Sequence, residues 1–193
     1  MATEMAQVHN TFLRSFNSIL LQAPLLPSCK QTGYNPTDVK DLLFFVDTTL
    51  TALNHHHDGE EKILFPALEK EIGQPGYLDG ASEQHKLFHD GVGELQGLVR
   101  ELREKPGEWE WEGMKRIIEG FMPALERHLR EEVPLILGLE RYAEEGLRRA
   151  WDASVEEGKK VGFGAFVGST STYTAFFAHS ISYPISAILS HYH

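Results

Sequence analysis

The sequence predicts an all-α protein: a bundle of four antiparallel helices in up-down-up-down order, followed by an additional C-terminal helix and an apolar tail. Apolar residues recur at helical spacing in four separate segments. One long loop and two short turns that contain proline or glycine separate these segments. Because short turns favour antiparallel neighbours, the apolar faces of the four helices are expected to meet along one axis.

The composition is that of a globular protein. The chain has 193 residues, of which 41% are hydrophobic and 24% charged, and its formal net charge is -10. Its lysines and arginines are scattered along the chain, which argues against nucleic acid as a partner. Cys29 is the single cysteine and forms no internal disulfide, and the N-terminus lacks the apolar run of a secretory signal. We therefore expect a cytoplasmic protein.

The first predicted helix carries a histidine in its apolar stripe. The stripe consists of Met5, Val8, Phe12, Phe16 and Ile19. His9 falls between Met5 and Phe12 and should face the core. A core histidine is more often satisfied by one hydrogen bond than bound to a metal, so its assignment as a ligand depends on the other histidines.

The second predicted helix carries the histidine-rich stretch of the chain. It follows a proline-containing loop, begins near Thr37 and stops at Gly73. Counting heptads from Val46 places His56 and Glu60, which are four residues apart, on the inward seam.

Periodicity leaves a second register open for this helix. His57 and Glu61 have the same spacing as His56 and Glu60. The stripe that would carry the second pair is nearly as regular and consists of Leu50, His57, Leu64 and Leu68. Periodicity alone therefore does not choose between the two pairs.

The third predicted helix spans about residues 82–105. Its heptad seam contains Phe88, Val92, Leu95, Val99 and Leu102. His85 and His89 lie at the start of that seam by this count, and we expect both to face the core.

The fourth predicted helix has the most regular seam. It consists of Met114, Ile118, Phe121, Leu125, His128, Glu132, Leu135 and Leu139. His128 and Glu132 thus occupy positions that otherwise take large apolar groups. A buried carboxylate without a partner costs several kcal/mol or more, so Glu132 requires a counter-ion or a metal.

Three prolines are expected to disturb the helices close to these polar residues. Pro66 has no amide hydrogen to donate to Lys62, so a kink is expected just past Glu60. Pro123 and Pro134 bracket the polar pair of the fourth helix and should bend that helix or loosen it locally.

The polar residues on these seams form one predicted site for two cations. Residues four apart on a helix lie on one face, so each pair can direct two donors at one point. The predicted ligands are His9, His56, Glu60, His85, His89, His128 and Glu132. Five imidazoles and two carboxylates form a mixed nitrogen and oxygen donor set, which suits iron, manganese or zinc.

These motifs resemble the hemerythrin-like, or HHE cation-binding, domains, whose relative myohemerythrin is a four-helix bundle. The resemblance covers about residues 6–140. Its motifs are His9 followed by asparagine, the run from His56 to Glu61 followed by Leu64, Phe65 and Pro66, the pair His85 and His89, and the pair His128 and Glu132. The resemblance favours His56 and Glu60 as the ligand pair of the second helix.

The resemblance implies a non-haem di-iron centre that binds dioxygen, with the glutamates as bridges and the histidines as terminal ligands. Iron is then favoured over manganese or zinc. Oxygen-carrying members of the family are expected to have an aspartate five residues after the histidine of the fourth helix. This chain has Val133 at that position and Glu132 one residue earlier, which fits a pure oxygen carrier less well.

The chain is expected to divide into the bundle, residues 1–140, and a C-terminal part, residues 141–193. Residues 141–160 predict a fifth amphipathic helix, with Leu147, Trp151 and Val155 on one side. Residues 161–190 contain no aspartate, glutamate, lysine or arginine. We expect this segment to pack on the bundle beside the metals. One alternative is that the segment forms an interface in a homo-oligomer. Another is that it contacts a membrane, although its glycines and proline argue against this.

Two functions follow from these expectations. In the first, the di-iron centre activates dioxygen and a small organic substrate held near the metals is oxidised. In the second, the centre holds oxygen, stores iron or senses redox state without catalysis. The added C-terminal residues favour the enzyme, because a carrier needs no extra apolar cover. No residue is assigned as catalytic beyond the metal ligands.

Overall fold

The computed structural model describes residues 1–160 and confirms the all-α architecture. Its helices are α1 (Ala2–Gln22), α2 (Pro36–Gly59), α3 (Phe65–Ile72), α4 (Asp79–Glu104), α5 (Trp111–Leu137) and α6 (Glu144–Lys160). A π-helical turn, Glu60–Leu64, joins α2 to α3, and short 3-10 turns follow α1, α4 and α5. The predictions for the apolar tail concern residues 161–193, which lie outside the described residues.

Four helical segments form the bundle, because α2, the π-helical turn and α3 follow one another without a break between residues 36 and 72. α4 contacts both α5 and α2, and α1 also contacts both α5 and α2. The four segments therefore surround a common core in the order α1, α2, α4, α5. Segments that are consecutive in the chain are neighbours in space, as short connections favour.

The core consists of two apolar layers, one on each side of a layer of polar side chains. The first apolar layer includes Phe12, Leu53, Phe88 and Leu125, and the second includes Met5, Leu64, Ala81 and Ile136. α1 and α4 run from the second layer to the first, whereas α2 and α5 run in the opposite direction. This alternation confirms the predicted up-down-up-down order.

The ends of the second segment follow from local sequence. Asn35 caps α2, because its side-chain oxygen accepts a hydrogen bond of 3.0 Å from the amide of Thr37. Pro36 occupies the first turn, where its missing amide hydrogen is not needed. Gly73 ends α3 with a positive φ of 67°, a left-handed conformation that glycine adopts without steric penalty.

The π-helical turn lies where Pro66 was expected to produce a kink. The amide of Phe65 donates to the carbonyl of Glu60, five residues earlier, instead of the four of an α-helix. Pro66 itself cannot continue the α-helical ladder back to Lys62. The turn is therefore locally widened, and Glu60, its first residue, carries one of the buried carboxylates.

The C-terminal helix α6 packs on one end of the bundle. It contacts α3, the π-helical turn and α2. Leu147 and Trp151 are buried in the second apolar layer, as the amphipathic pattern predicted. Val155, which was expected on the same side, is 38% exposed. Among the described residues, no helix has the length and apolar character needed to cross a membrane.

Close packing of α4 on α5 leads to a prediction about two neighbouring glycines. A Cβ atom at Gly91 would lie 2.7 Å from the Cβ of Phe121, whereas one at Gly93 would meet no described atom within 4 Å. Gly93→Ala should raise the free energy of unfolding by up to about 1 kcal/mol through helix propensity. Gly91→Ala gains the same propensity but should be about 1–3 kcal/mol less stable than Gly93→Ala because of overpacking. Urea denaturation of both variants measures this difference, and equal stabilities would contradict the packing described.

Candidate metal centre

A single cross-section of the bundle contains a layer of buried polar side chains. His9, Glu60, His128 and Glu132 are each no more than 2% exposed, and His57 and His85 are 7% and 5% exposed. The side chain of His56, which completes the layer, is 9% exposed. Each of the four segments contributes, so donors far apart in the chain lie at one depth between the two apolar layers.

These side chains form two groups of four that share one carboxylate. The first group is His9, His56, Glu60 and Glu132, and the second is His57, Glu60, His85 and His128. Within each group, one ligand atom from every member lies within 4.8 Å of the others. Each group therefore has the size and the donor types of a site for one cation.

Glu60 lies between the two groups and directs one oxygen at each. Its Oε1 is 3.0 Å from Nε2 of His56, and its Oε2 is 3.6 Å from Nε2 of His85. Glu132 also approaches both groups, because its Oε2 is 3.1 Å from Nε2 of His9 and 3.6 Å from Nε2 of His128. Glu60 thus belongs to both groups, whereas Glu132 belongs to the first group and also approaches His128 of the second.

Oxygen acceptors outside the layer orient three of the imidazoles. Nδ1 of His9 lies 2.8 Å from the carbonyl oxygen of Leu129, and Nδ1 of His85 lies 2.7 Å from Oε1 of Glu61. Nδ1 of His128 lies 3.2 Å from the side-chain oxygen of Gln84. Because these oxygens accept hydrogen bonds, each Nδ1 carries the hydrogen and donates it. Nε2 of each ring is then left with a lone pair that points into the site, the arrangement typical of metal-bound histidine.

The spacing of the imidazole nitrogens fits bound cations. Nε2 of His85 and Nε2 of His128 are 3.1 Å apart, and the same distance separates Nε2 of His9 from Nε2 of His56. Because Nδ1 carries the hydrogen in both His85 and His128, the lone pairs of their Nε2 atoms face each other at this distance and repel. A cation removes the repulsion, and two nitrogens bound to one ion at about 2.0–2.1 Å each have a similar separation.

Burial keeps three of the histidines, His56, His57 and His128, neutral, whereas the neighbouring Glu132 raises the pKa of His9. Burial lowers the pKa of His56 to about 3 and that of His128 to about 2, and it holds the pKa of His57 well below its usual value. At neutral pH these three imidazoles are therefore unprotonated, which is the form that binds metals.

Burial shifts the pKa values of the two carboxylates in the opposite direction. Burial raises the pKa of Glu60 to about 8 and also raises the pKa of Glu132. Both oxygens of Glu60 and Nε2 of His57 are buried and make no hydrogen bond with any described residue. Buried polar atoms without partners are costly, and cations coordinated by them would remove that cost. The residues present therefore fit a pair of metal ions.

The structure brings together six of the seven residues that the sequence predicted as ligands. These are His9, His56, Glu60, His85, His128 and Glu132. His57 also lies among these donors. It belongs to the second register of α2 and not to the pair that the family motif favours. The signal was present in the stripe through Leu50, His57, Leu64 and Leu68, because all four side chains are buried.

The prediction that His89 faces the core is wrong. Its side chain is 77% exposed and lies 3.6 Å from the carboxylate of Asp90. Phe88, which is 3% exposed, takes the inward position that follows His85 on α4. Successive helical residues are about 100° apart around the axis, so His89, next to Phe88, is turned away from the bundle.

Adjacent positions of α2 serve different groups because that helix has two neighbours in the bundle. His56 joins His9 of α1, whereas His57 joins His85 of α4. Glu61, the partner of His57 in the second register, is partly exposed and hydrogen-bonds to His85 from outside the layer. The second group thus combines His57 of the second register with Glu60 of the first, whereas Glu61 is not among the donors.

Comparisons with known proteins agree with this geometry. The family model described as the hemerythrin HHE cation binding domain matches residues 1–138. A dimeric xanthone biosynthesis cluster protein of Cryptosporiopsis sp. (strain 8999) is 33% identical over 162 residues, which are 84% of this chain and 58% of that protein. An uncharacterized protein of Haemophilus influenzae is 29% identical over 116 residues, which are 59% of this chain and 66% of that protein.

The chain thus spans about three fifths of the length of the Cryptosporiopsis relative. No solved structure matches the chain significantly. The family match covers all four segments of the bundle and every residue of the two donor groups. The chain belongs to the hemerythrin HHE cation-binding domain family.

Proposed function

We propose that the chain is a non-haem di-iron protein that binds and activates dioxygen and oxidises a small organic substrate held beside the metals. The observation that carries the proposal is the pair of four-donor groups that meet at Glu60. One group offers two imidazoles and two carboxylates, and the other offers three imidazoles and the shared carboxylate. Such mixed nitrogen and oxygen sets suit iron, and helical bundles bind carboxylate-bridged metal pairs in this way.

The chain's own residues prepare the site for this chemistry. His9, His56 and Glu132 would hold one ion, His57, His85 and His128 the other, and Glu60 both. Iron, when bound, would supply the electron transfer to dioxygen that no side chain provides. The two apolar layers limit the access of water to the buried donors. Glu61 fixes the ring of His85 from outside the layer.

Two further observations favour a substrate over reversible oxygen binding. A cavity lined in part by His56 and Glu60 opens beside the first donor group. The name of the Cryptosporiopsis relative assigns that protein to a dimeric xanthone biosynthesis cluster. If one oxygen atom enters a substrate, the other leaves as water, which requires two protons and two electrons from an external reductant. A one-electron donor protein or a thiol could supply those electrons.

The assignment of His57 in place of His89 predicts different metal contents for two variants. Protein prepared with iron should hold about two ions per chain, one in each donor group. His57→Ala removes one of the three imidazoles of the second group and should leave about one ion or none. His89→Ala removes an exposed ring and should keep both ions. Elemental analysis of the three proteins tests this, and loss of iron from His89→Ala alone would overturn the assignment.

Metal removal should lower thermal stability. Each ion that binds the folded chain stabilises it by about 2.7 kcal/mol at a free concentration one hundred times the dissociation constant, so two ions contribute about 5 kcal/mol. For a domain of this size, that energy corresponds to a fall in Tm of roughly 10–20 °C when both ions are removed. Calorimetry of the iron-loaded and chelator-treated protein measures the shift. His57→Ala, which should hold one ion or none, is the control, and the chelator should lower its Tm by no more than half of this amount. If the chelator left the Tm of the unsubstituted protein unchanged, that result would argue against a structural pair of ions.

Rapid mixing of the reduced, iron-loaded protein with dioxygen separates the catalyst from the carrier. The proposal predicts a transient visible absorption that decays within one experiment and is not restored when oxygen is removed. A stable absorption that disappears under vacuum and returns with oxygen would show reversible binding instead. Chelator-treated protein is the control, because without iron neither change should be seen.

A further inference from the structure

A cavity of about 550 Å³ lies between the first half of α1, the end of α2 with the π-helical turn, and α6. We name it the α6 cavity. Its volume lies within the range of roughly 300–1,000 Å³ that is common for small-molecule sites. His56 and Glu60 of the first donor group are among its lining residues. A molecule in the α6 cavity would therefore lie next to one of the two proposed ions.

One wall of the cavity belongs to α6. This helix begins at Glu144, beyond residues 1–138 that match the family. Trp151 and Val155 line the cavity from this side. Trp151 is 7% exposed and fixed in the second apolar layer, so it provides a rigid aromatic surface. Val155 is 38% exposed and thus keeps apolar surface available at the wall.

Most of the remaining surface is also apolar. Met5 and Val8 of α1 and Ile63 and Leu64 of the π-helical turn line the cavity together with the α6 residues. Met5 and Leu64 are each 1% exposed, so the part of the lining that they form is shielded from bulk water. Apolar ring systems gain most from such a surface, because their burial removes a large apolar area from water.

The charged groups of the cavity disfavour anions. Glu4, Asp58 and Glu157 line it, and Lys62 is the one lysine among its described lining residues. Lys62 is already paired with Asp58 at 2.7 Å, so it is not available to a ligand. Glu4 is likewise paired with Arg148 at 3.1 Å. Carboxylates nevertheless outnumber cationic side chains among the described lining residues, which disfavours an anion.

From these features we propose that the α6 cavity binds an uncharged, largely apolar ring compound, with its polar end directed toward His56 and Glu60. The inference rests on the proposed function only in treating this compound as the substrate. Binding itself is a property of the cavity walls. It can therefore be measured separately from metal content and from reaction with oxygen.

The test uses 2-naphthol as a neutral ring probe and naphthalene-2-sulfonate as an anion with the same ring system. A naphthol oxygen can bind iron whereas a sulfonate is a poor metal ligand. The comparison is therefore repeated with the chelator-treated full chain, in which only the cavity walls can distinguish the two probes. Calorimetric titration of the iron-loaded full chain should show binding of 2-naphthol and at least about tenfold weaker binding of the sulfonate, a difference of about 1.4 kcal/mol.

Two substitutions at neighbouring positions of α6 localise the binding. Ser154 lines the cavity, and its Oγ is 3.9 Å from the place where a Cβ of Gly59 would lie. Ser154→Phe should fill the space and weaken 2-naphthol binding at least about tenfold. Ala153 is exposed and does not line the cavity, so Ala153→Phe should leave the affinity within about twofold.

Val155→Lys is a second, milder probe in case Ser154→Phe does not fold. It places a cation on a partly exposed wall position and should raise the affinity for the sulfonate relative to 2-naphthol by about tenfold. An unchanged ratio would overturn the charge argument. Failure of the unsubstituted chain to bind 2-naphthol, or equal binding by Ser154→Phe and Ala153→Phe, would overturn the α6 cavity as the binding site.

Metal analysis of the same samples separates the two proposals. Binding of 2-naphthol by a chain that takes up no iron would support the cavity and contradict the proposed function. Full iron content without 2-naphthol binding would contradict the cavity and leave the metal centre supported.

Discussion

The burial of a layer of potential metal ligands is the constraint on which the rest of this structure depends. Two carboxylates and five imidazoles share one layer in the interior of a bundle that is otherwise apolar on both sides. Without a cation, Glu60 would keep two unpaired buried oxygens, and pairs of imidazole nitrogens would face each other at 3.1 Å. Buried oxygens without hydrogen bonds and closely facing imidazole nitrogens are unfavourable, and cations bound by these donors would remove both costs. Metal binding and folding are therefore expected to be coupled in this protein.

The same constraint explains local features of the bundle. Donors on four helical segments reach one depth because the segments alternate in direction and each has an apolar layer above and below its polar residues. The π-helical turn begins at the shared carboxylate, where Pro66 prevents the ordinary ladder from continuing. The loosened turn also contacts α6. One backbone irregularity thus positions Glu60 and borders the α6 cavity.

Much of the fold could be predicted from the sequence, because apolar periodicity and turn residues are local signals. The four segments, their order and the position of α6 follow from them. The site was harder to predict. His89 has the four-residue spacing of a ligand pair, but Phe88 competes for the same inward position and the larger apolar side chain is buried. His57 was missed because a single seam was assumed for α2, whereas a helix with two neighbours can direct adjacent residues into two groups.

Anomalous diffraction at the iron absorption edge from crystals of the iron-loaded protein tests the central claim most directly. The account predicts two peaks, one in each donor group, with the carboxylate of Glu60 between them and the ring of His57 bound to one of the ions. A single peak, or an ion bound by His89 while His57 makes no contact with metal, would contradict it.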